Sequence, residues 1–73
     1  MSARNVLQEL RKRLIVSRPK LSKLLGFSKS YVWLVEENQR NLSMKAGAKI
    51  IKFSWENAGM RVTYEMLMDD VKK

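Results

Sequence analysis

Cationic side chains are the residues of this sequence with the clearest potential for chemistry. Fifteen Lys and Arg residues stand against seven Asp and Glu residues, which gives a net charge of +8. The excess lies in residues 1–52, where 12 basic residues face Glu9, Glu36 and Glu37. Such an excess favours a polyanionic partner such as nucleic acid. The alternative is a solvated cationic surface that only aids solubility.

Catalytic and metal-binding chemistry, by contrast, has few suitable side chains here. The sequence contains no histidine and no cysteine, so it lacks the commonest general base, the commonest metal ligand and the thiol nucleophile. The acidic neighbours Glu36–Glu37 and Asp69–Asp70 would point about 100° apart on a helix, so neither pair converges on one ion. We therefore expect no enzymatic activity, no cofactor and no bound metal.

The length of 73 residues predicts a single domain, residues 1–73. No apolar run is long enough to predict a membrane span, and the N-terminus lacks the apolar core of a signal peptide. The absence of cysteine suits a reducing cytoplasm, where we expect the protein to reside.

Two short helices are predicted in the first third of the chain. Apolar residues at helical spacing predict the first helix over residues 3–14, with Val6, Leu7, Leu10 and Leu14 on its inner face. Ser17 is a predicted N-cap for a second helix of about eight residues, which has Pro19 in its first turn. Gly26 should end this helix in the left-handed conformation.

A third and a fourth helix are predicted to follow. Ser28 is the expected N-cap of a helix from Lys29 to about Glu37, closed by Asn38 and followed by a polar loop over residues 38–42. Ser43 should cap the fourth helix, which ends either at Gly59 or near Ser54. Its predicted inner stripe consists of Met44, Gly47 or Ala48, Ile51, Trp55 and Ala58.

The C-terminal segment allows two interpretations. Thr63 could cap a short helix whose apolar positions are Tyr64, Met66, Leu67 and Val71. Residues 60–64 also alternate and are rich in strand formers, which would favour a β-strand. The helix is the preferred interpretation, and it makes the protein an all-α, compact domain of four to five helices.

Residues 17–36 have the pattern of a helix-turn-helix, in which a capped helix, a glycine turn and a second capped helix succeed each other. Gly26 permits the positive φ of the turn, and Ser22 is small enough for the second helix to cross closely. Leu21, Leu25, Val32 and Val35 should hold the two helices at a fixed angle.

This pattern resembles the Cro/lambda-repressor-like family, also called the XRE-type helix-turn-helix. The matching residues are Glu9-Leu10-Arg11-Lys12, Val16-Ser17, Leu21, Leu25-Gly26, Ser28, Ser30, Val32, Val35-Glu36 and Arg40-Asn41, with a weaker match over residues 62–67. The resemblance implies five helices, of which the third reads bases in the major groove of duplex DNA.

The resemblance also implies roles for individual residues. The base-reading positions fall on Lys29, Ser30, Trp33 and Leu34, with Tyr31 beside them, and the phosphate-binding positions fall on Ser17, Arg18 and Arg40. Lys20 and Lys23 would add non-specific attraction. Arg11 and Glu36 would form an ion pair that anchors the third helix; the alternative is two solvated charges.

The sequence departs from the family pattern at three positions. Arg18 stands where glutamine is common, and Trp33 and Leu34 fill positions that are usually polar. Because Tyr31, Trp33 and Leu34 cannot all face the core together with Val32 and Val35, some of them must be exposed. They would contact thymine methyl groups or a partner protein, unless Trp33 folds back onto the loop or the C-terminal segment.

The expected function is therefore a sequence-specific transcriptional regulator, a Cro-like or autoregulatory repressor from a phage or mobile element, which occludes a promoter. One alternative is a protein-interaction module that uses Tyr31, Trp33 and Leu34, and another is a DNA-binding antitoxin. A homodimer on DNA is expected, in the cytoplasm of a bacterial or infected host cell. The candidate dimer contacts are Tyr64, Met66, Leu67 and Met68, although methionines of this kind are more often core residues.

Overall fold

The architecture is all-α, as the sequence predicts. The structure is a computed structural model that describes residues 3–67, and these residues form five helices and no strand. The helices are α1 (Ala3–Leu14), α2 (Arg18–Leu24), α3 (Tyr31–Glu36), α4 (Met44–Ala58) and α5 (Tyr64–Leu67). The strand considered for residues 60–64 is therefore wrong. Val71 and Met68 lie outside the described residues. Among residues 3–67, none of the helices has the length and apolar character needed to cross a membrane.

Helix α1 lies at the centre of the fold. It contacts α3, α4 and α5, while α2 packs mainly on α3. The inner face of α1 carries Val6, Leu7 and Leu10, which are fully buried. These residues meet a core that also contains Leu21, Leu25, Val32, Val35, Leu42, Ala46, Ile50, Val62 and Leu67. Burial of these side chains is the main force that holds such short helices together, because none of them is stable in isolation.

Three predicted N-caps are confirmed by side-chain hydrogen bonds. The hydroxyl of Ser17 accepts from the amide of Lys20, that of Ser43 from Ala46 at 3.1 Å, and that of Thr63 from Met66 at 3.2 Å. Each bond satisfies an amide that the helix itself leaves without an acceptor. The predicted left-handed ends at Gly26 and Asn38 are confirmed as well, with φ of +80° and +60°, and Gly59 ends α4 in the same conformation with φ of +63°.

The predicted start of the third helix is wrong by two residues. Helix α3 begins at Tyr31, and Lys29 and Ser30 lie in a turn before it, where the amide of Tyr31 donates to the carbonyl of Ser28. Ser30 takes the N-cap position but makes no side-chain capping bond, because its φ of −98° and ψ of 2° are not the extended conformation of a capping residue. The hydroxyl of Ser28 therefore does not cap α3.

Helix α4 runs to Ala58 without a break, but its predicted inner stripe is mostly wrong. The buried residues are Ala46, Gly47, Ile50 and Ser54, whereas Met44 and Trp55 are exposed. Three of these four buried residues, Ala46, Gly47 and Ser54, are small, and the bulk of Trp55 would need more space in a close-packed core. Hydrophobicity alone pointed to the wrong side of this helix because both sides carry apolar residues.

Candidate nucleic-acid interface

The C-terminal end of α3 is anchored to α1 by the predicted ion pair. Nε of Arg11 lies 2.9 Å from Oε2 of Glu36, and Nη2 of Arg11 lies 3.0 Å from Oε1. The side chain of Glu36 is only 1% exposed. A bidentate guanidinium–carboxylate contact fixes distance and orientation together, so it sets the position of α3 on the core. The prediction for these two residues is confirmed.

Arg18 also belongs to this cluster, which the sequence analysis did not anticipate. Its Nε lies 3.4 Å from Oε1 of Glu36, and its Nη1 lies 3.3 Å from Oε2 of Glu37. Arg18 was predicted to bind phosphate, but in this structure its guanidinium is engaged by two carboxylates of the α3 end. A phosphate would have to compete with those carboxylates for it.

A buried hydrogen bond holds the N-terminal half of α3. The hydroxyl of Ser22 on α2 accepts from the amide of Val32 at 3.1 Å, and both residues are fully buried. The sequence predicts a role for Ser22 through its small size but does not predict this hydrogen bond. The available signal was a polar residue on the apolar side of α2, next to Leu21 and Leu25. The bond and the ion pair together hold α3 from both ends.

The five predicted base-reading residues differ in their exposure. Lys29 and Ser30 are exposed, and the Trp33 side chain is 45% exposed. Tyr31 and Leu34 are half-buried. Hence Trp33 is the large side chain that α3 presents to solvent.

Tyr31 is held within the domain rather than projected from it. Its ring packs at 4.6 Å from the ring of Phe27 in a tilted arrangement, and Cζ of Arg40 lies 5.5 Å from the Tyr31 ring centre. An arginine over an aromatic face makes a favourable cation–π contact. The exposed face of α3 is therefore narrower than the sequence predicts.

A groove brings most of the predicted residues together. It has a volume of about 560 Å³ and lies between the C-terminal part of α1, the start of α2, and α3 with the turn before it. Its walls are formed by Arg11, Ser17, Arg18, Pro19, Lys29, Ser30 and Trp33. Lys20 is not part of it and lines a neighbouring depression of about 350 Å³ with Pro19, Lys23, Phe27 and Lys29. Lys29 thus connects the two.

Cations also flank α3 on its other side. Lys45 and Lys49 of α4 line a third depression beside Phe27, Tyr31 and Ser43, and Nζ of Lys49 lies 5.5 Å from the Phe27 ring centre. Sequence analysis did not include these two lysines in the site. Their position after the Ser43 cap was visible, but their proximity to Phe27 and Tyr31 depends on how α4 packs.

The candidate dimer residues are placed unequally. Leu67 is fully buried in the core, so it is unavailable to a second copy, and Met66 is half-buried against the core. Tyr64 remains partly exposed, with its hydroxyl 3.4 Å from the carbonyl oxygen of Met44. Met68 lies outside the described residues.

Comparison with known proteins adds no further constraint. No protein family, curated protein or solved structure matches this chain. Among residues 3–67, no group of carboxylates is arranged to hold a metal ion. The functional argument therefore rests on the geometry and charge of the α2–α3 surface.

Proposed function

We propose that the protein is a sequence-specific, duplex-DNA-binding transcriptional regulator of the Cro/lambda-repressor-like type. The observation that carries the proposal is the double anchoring of α3. The buried bond from Val32 to Ser22 and the bidentate Arg11–Glu36 pair hold a short helix rigidly against α1 and α2. That helix presents Trp33 outward. A rigidly held helix at the surface is what insertion into the major groove requires.

The charges around α3 support a polyanionic ligand. Lys29 lies in the turn before α3, Lys20 and Lys23 lie on α2, and Lys45 and Lys49 lie on α4. These side chains flank α3, where they would approach the phosphates on both edges of a groove. A domain held by several such contacts should lose affinity steeply as salt increases.

The two carboxylates at the end of α3 are both compensated. Glu36 is buried against Arg11 and Arg18, and Glu37 contacts Arg18. An uncompensated carboxylate on a helix in the groove would repel phosphates. Arg18 therefore neutralises the reading surface in addition to any contact it makes with DNA.

Base contacts are assigned to three residues. Lys29 would donate to O6 or N7 of guanine, and Ser30 would bond to several base edges. Trp33 would supply an apolar contact to a thymine methyl group. Each good base contact contributes about 1–3 kcal/mol of discrimination. Tyr31 and Leu34, being half-buried, would contribute mainly to the shape of the surface.

The proposal includes two copies on an inverted repeat, with repression by occlusion of a promoter in the cytoplasm of a bacterial or infected host cell. Two recognition helices would then enter major grooves about one DNA turn apart. Of the candidate self-contacts, Tyr64 and Met66 keep part of their side chains accessible.

Selection of bound duplexes from a random pool tests the proposal. We expect an enriched motif, and an inverted repeat if two copies bind. On the selected duplex, Lys29→Ala should weaken binding about tenfold, whereas Lys12→Ala, an exposed cation on α1, should have little effect. Failure to enrich any motif at physiological salt would sink the proposal, and so would an equal loss for the two variants.

A second candidate function is recognition of a protein through Trp33. This side chain is 45% exposed, and tryptophan is enriched among the residues that contribute most to binding in protein interfaces. Partial burial of Tyr31 and Leu34 reduces the apolar area available for this role. If Trp33→Ala abolished binding to a partner protein while leaving duplex affinity unchanged, the second function would be preferred.

A further inference from the structure

The outer side of α4 carries a second apolar surface, away from α3. Met44, Ala48, Ile51 and Trp55 follow each other at intervals of four, three and four residues, so they lie on one side of the helix. Trp55 is 59% exposed, Met44 is exposed and Ile51 is half-buried. This is the stripe that hydrophobicity predicts to face the core. Packing of the opposite side of α4 into the core leaves this stripe at the surface, where it is available to a partner.

Part of this surface is shaped into a groove. It is lined by three apolar residues, Ile51, Trp55 and Val62, and by two cations, Lys52 and Arg61. The groove has a volume of about 280 Å³. A cavity of about 150 Å³ is already large enough for benzene, so one large apolar side chain fits here.

Both charged residues that line the groove, Lys52 and Arg61, are cations. Cζ of Arg61 lies over the ring of Trp55, 5.8 Å from the ring centre, and Lys52 of α4 also lines the groove. No carboxylate belongs to the described residues that line the groove. Glu56 follows Trp55 in the chain but is not part of the lining.

We propose that this groove docks a segment of a partner protein in which a large apolar side chain lies next to Asp or Glu residues. The apolar side chain would cover Trp55 and Ile51, and the carboxylates would meet Lys52 and Arg61. A second copy of this chain is a poor occupant, because symmetric pairing would bring the same two cations of each copy together in a protein that already carries +8.

The docking groove and the nucleic-acid interface are independent. None of the residues that line this groove lines the depressions beside α3. Partner and DNA would therefore bind at the same time, and the groove would allow a small DNA-bound protein to recruit or be controlled by an acidic partner. Its test does not depend on the identity of any DNA site.

Three synthetic peptides of equal length test the proposal by fluorescence anisotropy. The first places Leu and Phe among Asp and Glu residues, the second replaces Leu and Phe by Ala, and the third replaces the acids by Asn and Gln. We expect the first to bind at least about tenfold more tightly than the other two, because both features of the groove are needed. Absence of binding by the first peptide overturns the proposal, and so does equal binding by the first and second.

Variants locate the binding. We expect each of the variants Trp55→Ala and Arg61→Gln to bind the first peptide about tenfold more weakly than the unmodified protein. Leu24→Ala, which removes an exposed apolar residue of α2, and Lys12→Gln should change binding little. Circular dichroism should show that all four variants keep their helices. Equal losses for the variants and their controls refute the location. A dimer in sedimentation that Trp55→Ala dissociates would show instead that a second copy occupies the surface.

Discussion

Removal of the Glu36 carboxylate is the perturbation that most directly tests how α3 is held. In Glu36→Ala, the two hydrogen bonds from Arg11 at 2.9 and 3.0 Å are lost together with the contact from Arg18. Two guanidinium groups then remain near each other beside a gap in the core. The carboxylate of Glu37 would keep its contact with Arg18.

The expected cost follows from burial. Breaking a buried ion pair by removing one partner costs about 3–5 kcal/mol. Here the side chains left behind keep some access to water, 22% for Arg11 and 32% for Arg18, so we expect the lower end, about 3 kcal/mol. The total free energy of unfolding of a chain of this length is about 4–11 kcal/mol. The midpoint of thermal unfolding should therefore fall by roughly 10–25 °C.

Thermal and urea unfolding, followed by circular dichroism, measure this loss. The matched control is Glu37→Ala, which removes an exposed carboxylate with one contact and should cost less than about 1 kcal/mol. A double-mutant cycle with Arg11→Ala separates the ion pair from the cavity, and a coupling energy of about 1–3 kcal/mol is expected. Equal midpoints for the two glutamate variants, or additive losses in the cycle, would refute the argument that this pair anchors α3.

Three further predictions concern other parts of the molecule. Ser22→Ala should lower the free energy of unfolding by about 1–3 kcal/mol, because the buried amide of Val32 loses its acceptor. Ser54→Ala should leave stability unchanged or raise it, since the buried Ser54 hydroxyl has no hydrogen-bond partner among the described residues. Equal urea midpoints for the two variants would contradict this prediction. Ile15 has φ of +56° and is 90% exposed, so Ile15→Gly should raise stability by about 1 kcal/mol in the same assay, and a loss would contradict the strain argument. Glu37→Gln should release Nη1 of Arg18 from its second carboxylate while Nε keeps its contact with Glu36, and it should tighten non-specific duplex binding a few-fold at low salt. Unchanged or weaker binding would show that Arg18 does not approach phosphate.

Local features of the sequence were sufficient to predict the helices. Serine and threonine caps, a glycine or asparagine at the helix ends and apolar spacing act within a few residues, so they are visible without the fold. They placed both ends of α1 and the start of α4 correctly, and the structure selects Gly59 rather than Ser54 as the end of α4. The start of α3 was missed because Ser28 and Ser30 are both plausible caps, and the choice between them depends on how the turn packs against α2.

The candidate site was predicted only in part. The Arg11–Glu36 pair followed from the resemblance, and the structure confirms it. The engagement of Arg18 by Glu36 and Glu37, and the inward packing of Tyr31 on Phe27, involve contacts between separate elements. No spacing rule within one helix contains such information.

The sequence by itself determined the all-α composition, the bounds of α1, the caps at Ser17, Ser43 and Thr63 and the cationic character of residues 1–52. Each of these depends on residue type or on neighbours within one or two turns. Tertiary structure alone decided which side of α4 is buried. Both sides carry apolar residues, and only the packing of α4 with α1 and α5 selects the side that contains Ala46, Gly47, Ile50 and Ser54. Close packing, which depends on shape as well as hydrophobicity, therefore left Trp55 exposed to solvent.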